Sequence, residues 1–177
     1  MSRIDKVFKQ LKAKGEKALI PFITAGDPDL ATTRALALEM AARGADILEL
    51  GVPFSDPLAD GPTIQAASLR AMQGGVHLED VLNLAGELRA QTQIPLILMG
   101  YYNPMLQYGL SRTATEAAAN GVDGFIIPDL PPEEAGPGGW RPPRRKLTPF
   151  SWRRPPAAPH ASRPWGDSPK GFSTTCR

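Results

Sequence analysis

The chain has 177 residues, 42% of them hydrophobic and 21% charged, a size and balance that fit one compact domain and argue against overall disorder. No apolar run approaches the roughly 18 residues that a membrane-spanning helix needs, and Met1-Ser2-Arg3-Ile4-Asp5 opens the sequence without the apolar core of a signal peptide. The expectation is a cytoplasmic protein with no membrane partner. A single cysteine, Cys176, allows neither an internal disulfide nor a cysteine metal site.

The formal net charge of +2 hides a break near residue 135. Residues 1–135 hold 11 Lys and Arg against 17 Asp and Glu, whereas residues 136–177 hold 9 against one, together with all three tryptophans and nine of the 19 prolines. Two kinds of sequence meet there.

In chain order, Ser2 and Asp5 have the spacing of a capping box, and Ile4, Val7, Phe8 and Leu11 follow at i, i+3, i+4, i+7, which predicts an amphipathic helix ending near Gly15. Ala18–Thr24 reads as a first buried strand. Asp27 and Pro28 read as N-cap and first residue of a helix that runs to about Arg43, with Gly44 suited to the left-handed position beyond it. Asp46–Gly51 reads as a second strand, followed by a loop rich in Pro, Asp and Gly. Helices are predicted over about 63–73 and 78–91, the second with an apolar stripe at Val81, Leu84, Ala85 and Leu88. Pro95–Met99 is a third strand, 111–120 a helix, and Gly124–Pro128 a fourth strand.

Continuously apolar strands alternating with helices imply an α/β fold with a parallel sheet covered by helices. Four such units, with an extra N-terminal helix, match half of a (β/α)8 TIM barrel. A flavodoxin-like open sheet has the same alternation, so periodicity leaves both open. Residues 136–177 show neither period, and their prolines remove many amide donors. They are expected to form a disordered, irregular tail. Gly136-Pro137-Gly138-Gly139 has no flanking strand or helix and is not read as a phosphate loop.

Glu49 lies near the end of an otherwise apolar strand, and in parallel α/β folds those ends form the active-site rim. A carboxyl desolvated there has a raised pKa and can both give and take a proton. Asp60 follows eleven residues later, on the loop leaving the same strand, close enough to share the mouth and divide acid and base roles. The plainer alternative has Glu49 ending a strand at the surface and Asp60 capping the helix that begins near Pro62. His77 reads as a surface or capping residue with no second metal-type ligand nearby; His160 in the tail carries no functional reading.

The stretch Glu49-Leu-Gly-Val-Pro-Phe-Ser-Asp-Pro-Leu-Ala-Asp-Gly-Pro62 resembles the signature of tryptophan synthase alpha subunits at every fixed position. Pro21-Phe-Ile-Thr-Ala-Gly-Asp-Pro28, Met99-Gly-Tyr-Tyr-Asn-Pro104 and Pro128-Asp-Leu-Pro131 resemble that family in the same order. The resemblance covers about residues 1–135 and favours the half-barrel. It implies a carbon–carbon lyase of tryptophan biosynthesis, cleaving indole-3-glycerol phosphate to indole and glyceraldehyde 3-phosphate without a metal or organic cofactor. It also implies that Glu49 is the acid/base residue and that Asp60 stabilises the charge developing on the indole nitrogen. By the same resemblance Phe22, Met99 and Tyr101 line the indole slot, and Pro53, Asp56 and Asn103 face a tryptophan synthase beta chain in an α2β2 heterotetramer. The plainer alternatives are core packing for the first three and turn formation for the last three.

A complete family member continues through four more strands, with a lid loop and a glycine- and serine-rich phosphate cradle that nothing in residues 136–177 resembles. The tail reads as a shifted frame or an aberrant end. The chain is accordingly expected to be impaired as a lyase, through loss of the substrate's phosphate anchor. The competing expectation is an inactive fragment that docks a beta chain. Nucleic-acid binding by the basic, tryptophan-bearing tail is a third reading, set aside because the tail has no recognition motif.

Overall fold

The computed structural model describes residues 1–131 and the short strand 148–150. Its elements are helix α1 (Arg3–Lys14), strand β1 (Phe22–Thr24), α2 (Leu30–Ala42), β2 (Leu48–Gly51), α3 (Pro62–Gln73), α4 (Leu78–Arg89), β3 (Leu96–Met99), α5 (Tyr102–Tyr108), α6 (Leu110–Ala119), β4 (Gly124–Ile126) and β5 (Thr148–Phe150). The strands form one sheet in the order β1-β2-β3-β4-β5, every neighbour parallel. Parallel neighbours in sequence order, joined by helices, are the arrangement of one arc of a (β/α)8 barrel.

Helix ends follow local chemistry. Ser2 Oγ accepts the Asp5 N–H at 3.1 Å and the Asp5 carboxylate accepts the Ser2 N–H at 2.9 Å, the reciprocal cap predicted for α1. The predicted start of α2 is displaced. Asp29 is the N-cap, its Oδ1 accepting the Thr32 N–H at 2.6 Å, and the helix begins two residues beyond Pro28. Asp27 instead accepts two hydrogen bonds from Arg70 of α3, at 2.8 and 2.7 Å. His77 N-caps α4, its N–H bonded to the Asp80 carboxylate at 2.9 Å.

Two further differences from the sequence reading stand out. Tyr102–Tyr108 forms α5, where no helix was expected; Pro104 lies in its first turn, where a missing amide hydrogen costs nothing. Of the segment expected to be irregular, Thr148–Phe150 forms β5, in parallel register with Gly124–Ile126. Pairing along a sheet edge is made by backbone, so it does not require side-chain periodicity, and an outer strand tolerates Pro149. The remainder of the expected tail lies outside the described residues.

The pleat divides the sheet into two faces. Leu48, Leu50, Leu96, Leu98 and Phe125 point towards the helices and are at most 1% exposed; burial of each such side chain contributes about 1.5–3 kcal/mol. The opposite face carries Ile47, Ile97 and Ile126, packed with Ile4 and Val7 of α1. Glu49, two residues after Ile47, and Phe22, its register partner on β1, belong to this second face. At the amino-terminal end of the sheet Asp123 is 3% exposed. It accepts from Arg3 Nη1 at 3.0 Å, Arg89 Nη2 at 2.9 Å and the Leu96 N–H at 3.0 Å. Among the described residues, no helix is long and apolar enough to cross a membrane.

Candidate active site

Parallel strands present their carboxyl ends at one rim, and the loops leaving β2 and β3 meet there. Val52 donates its N–H to the Met99 carbonyl at 2.8 Å, which holds the start of the β2–α3 loop against β3. Gly100 follows, and then Tyr101, only 6% exposed. The Tyr101 hydroxyl reaches across to the far end of the β2–α3 loop. It accepts the Ala59 N–H at 2.8 Å and donates to Asp60 Oδ2 at 3.1 Å. Its ring lies 5.3 Å from that of Phe54 at a tilt of 34°.

These side chains surround a narrow cleft lined by Phe22, Thr24, Gly51, Asp60, Met99 and Tyr101, with Ile64 and Ser68 of α3 on one side. About 10 Å³ of it can be occupied by the centre of a water molecule, room for about one water. Gly51 is what lets Phe22 lie across the floor, because a Cβ there would fall 2.5 Å from Phe22 Cζ.

Asp60 is half-buried, and burial raises its pKa above the ordinary carboxylate value while the Tyr101 hydrogen bond pulls it back. The helix behind it is capped by Gly61 without a side-chain bond; Asp60 faces Tyr101 and does not cap. Glu49 is 7% exposed, and its pKa is raised by desolvation alone. Glu49 is not a wall of the water-sized cleft. It lies one pleat repeat deeper than Gly51, on the same face of β2, beside Phe22 and Ile97 in register.

Of the residues singled out from sequence, Phe22, Asp60, Met99 and Tyr101 thus come together, with Glu49 adjacent beneath them. The three others do not join them. Pro53 is buried at the start of the loop, Asp56 is exposed and accepts from Ser55 Oγ at 2.6 Å, and Asn103 is exposed on α5. Sequence reasoning missed Thr24, whose Oγ1 is buried with no hydrogen-bond partner and which shares the cleft wall. Its position two residues after Phe22 on one strand was the available signal. It also missed Leu58, 92% exposed at the tip of the loop. Among the described residues no cluster of three or more His, Cys, Asp or Glu could hold a metal ion.

Comparison with known proteins bears on the family and the fold. Residues 8–140 match the family model described as tryptophan synthase alpha chain. The tryptophan synthase alpha chain of Citrifermentans bemidjiense is 58% identical over 135 residues, covering 76% of this chain and 51% of that protein; that of Geobacter sulfurreducens gives the same figures. The crystal structure of the alpha subunit from Legionella pneumophila superposes with a TM-score of 0.74 at 51% identity, over 76% of this chain and 52% of that one. A tryptophan synthase structure from M. tuberculosis gives 0.72 at 39% identity. The chain spans about half the length of the curated relatives it matches. It belongs to the tryptophan synthase alpha chain family.

Proposed function

We propose that residues 1–131 carry the acid–base half of a lyase site that cleaves indole-3-glycerol phosphate to indole and glyceraldehyde 3-phosphate. The observation that supports this most is Glu49, a buried carboxyl whose pKa is raised by desolvation, with no cation beside it among the described residues, on the strand face under a cleft that contains Asp60. A carboxyl whose pKa burial raises holds its proton more readily and can deliver it to indole C3. The ring nitrogen then becomes cationic, and the Asp60 carboxylate beside it offsets that charge. The resulting Glu49 carboxylate takes the proton of the adjacent glycerol hydroxyl. The carbon–carbon bond breaks, its electron pair returns to the ring and neutralises the nitrogen, and the hydroxyl carbon becomes the aldehyde. Protons and electrons balance, and no metal or organic cofactor enters. Phe22, Met99 and Tyr101 supply the apolar walls for the flat ring.

No stretch of the 177 residues resembles a phosphate cradle, so turnover by this chain alone is expected to be weak. Remote binding energy that is not recovered lowers kcat as well as affinity. The test is indole release from indole-3-glycerol phosphate, alone and with a beta chain, for the parent and Glu49→Gln. A loss of about 10²–10⁴-fold in the variant is expected for an acid–base group; equal release by both would refute the assignment. Growth without tryptophan of a strain lacking the alpha subunit, rescued by this chain, would overturn the expected impairment.

A second reading, docking to a beta chain without catalysis, is favoured by Leu58 at the loop tip. A large apolar side chain exposed between Asp56 and Asp60 has the character of an interface anchor. Pull-down by a beta chain that is lost in Leu58→Ser, with no indole release from the parent, supports this reading over the first. Residence in the cytoplasm accords with both.

A further inference from the structure

We propose that Tyr101 is a positioning residue that clamps the β2–α3 loop at both ends and so fixes where the Asp60 carboxylate points. The proposal deepens the lyase reading and rests on it only for its consequence in catalysis. Its geometry is independent of any substrate.

The loop must carry Asp60 back over the sheet from β2, and its own contacts are short-range. The Leu58 N–H bonds the Asp56 carbonyl and the Asp60 N–H bonds the Pro57 carbonyl, both at 2.9 Å. Such turns set local curvature without tying the loop to the sheet. Among the described residues, the side-chain hydrogen bonds that reach residues 52–60 from other elements are the two made by Tyr101 and one from Gln65 Nε2 to the Asp60 carbonyl, at 3.0 Å. Gln65 is exposed on α3, which follows the loop directly. Tyr101 alone therefore links the loop's far end to β3.

The phenol suits this task chemically. Its oxygen accepts from the Ala59 N–H while its single proton goes to Asp60 Oδ2, so both capacities of the hydroxyl are used with fixed polarity. Its ring meanwhile packs on Phe54 near the loop's start. The group is 6% exposed, so water competes poorly for either bond. Burial above all, with the negative charges of Asp60 and Asp129 adding to it and the Ala59 N–H opposing it, pushes the phenol's pKa up to about 12. It stays protonated, and so remains a donor, across the whole range in which carboxylates titrate.

Tyr101→Phe deletes both hydrogen bonds and keeps the ring contact. The readouts are amide hydrogen exchange at Ala59 and the Asp60 carboxyl titration by carbon-13 NMR, on the full 177-residue chain with no substrate present. Exchange at Ala59 should accelerate about tenfold, the size expected for one hydrogen bond, and the Asp60 midpoint should move up, since a donor to the charged form is lost. The Phe54 ring shifts should stay in place. Unchanged exchange and an unchanged Asp60 midpoint, with native spectra elsewhere, would overturn the clamp. Should Tyr101→Phe fail to fold, Asp60→Asn decides. Removing the negative charge should lower the Tyr101 phenol midpoint in an ultraviolet titration; no change there would overturn the proposal equally. Neither readout requires turnover, so absent indole release would refute the lyase reading while leaving the clamp intact. A failed clamp would show even if indole release were normal.

Discussion

Two buried carboxyls lie at opposite ends of the same sheet and are treated in opposite ways. Asp123, at the amino-terminal end, has two arginines and a backbone amide on its oxygens. Glu49, towards the carboxyl ends of the strands, is nearly as buried and has only desolvation acting on it. Burial of a carboxyl is costly in both places. At Asp123 paired donors offset that cost and fix three parts of the chain to one another: α1, the end of α4 and the start of β3. At Glu49 the cost is left standing, which is a poor choice for stability and a good one for a group that must change protonation state.

Breaking the satisfied end should have the largest effect. Asp123→Ala leaves the Leu96 N–H without its acceptor and Arg89, 12% exposed at its side chain, without a counter-charge, held only by the Gly121 and Thr92 carbonyls. Loss of one member of a buried ion pair costs about 3–5 kcal/mol, to be read as a fall in the urea midpoint. A loss below about 1 kcal/mol would mean that the arginines find water and the two ends are alike after all.

Changing the other end should move stability in the opposite direction, and with pH. Burial raises the Glu49 pKa, so between the ordinary carboxyl value and the raised one the folded chain holds a proton that the unfolded chain has released. Stability then falls as pH rises through that window. Glu49→Gln removes the dependence. Below the window it should match the parent, and near pH 7 it should be the more stable of the two, while indole release drops. Denaturation at pH 4 and pH 7 checks this; a variant less stable than the parent at pH 7 would show that the carboxylate has a partner.

The smallest effect sharpens the same contrast with a neutral group. Thr24 Oγ1 is buried without a partner, so Thr24→Val removes an unsatisfied hydroxyl at constant shape. Stability should rise by up to about 1 kcal/mol, whereas a loss would reveal a hydrogen bond made in solution.

Much of this was legible in the sequence because the governing interactions are local or periodic. The strand cores Leu48–Gly51 and Leu96–Met99, the cap at Ser2 and the stripe on α4 follow from neighbours within one turn or one pleat. Glu49 was visible as the one acid in an apolar strand. What failed depended on distant partners. Asp27 and Asp29 are equally good caps by type, and the choice between them goes with Arg70, 43 residues from Asp27, which spacing cannot reveal. Asp60 and Gly61 compete in the same way, and a hydroxyl 41 residues from Asp60 engages its carboxylate. α5 was hidden because Asn103-Pro104 is turn chemistry out of context.

The bond from Arg3 to Asp123 joins residues 120 apart, whereas each strand of the described arc from β1 to β4 pairs with the next one in the chain. Loop closure favours the nearer pairings, so that arc can assemble progressively while its inner isoleucines still face water. Helix α1 lays Ile4 and Val7 against Ile47, Ile97 and Ile126, and its Arg3 finds Asp123 only once the loop before β4 has formed. Without α1 seated, that isoleucine face would stand open to water and to other chains.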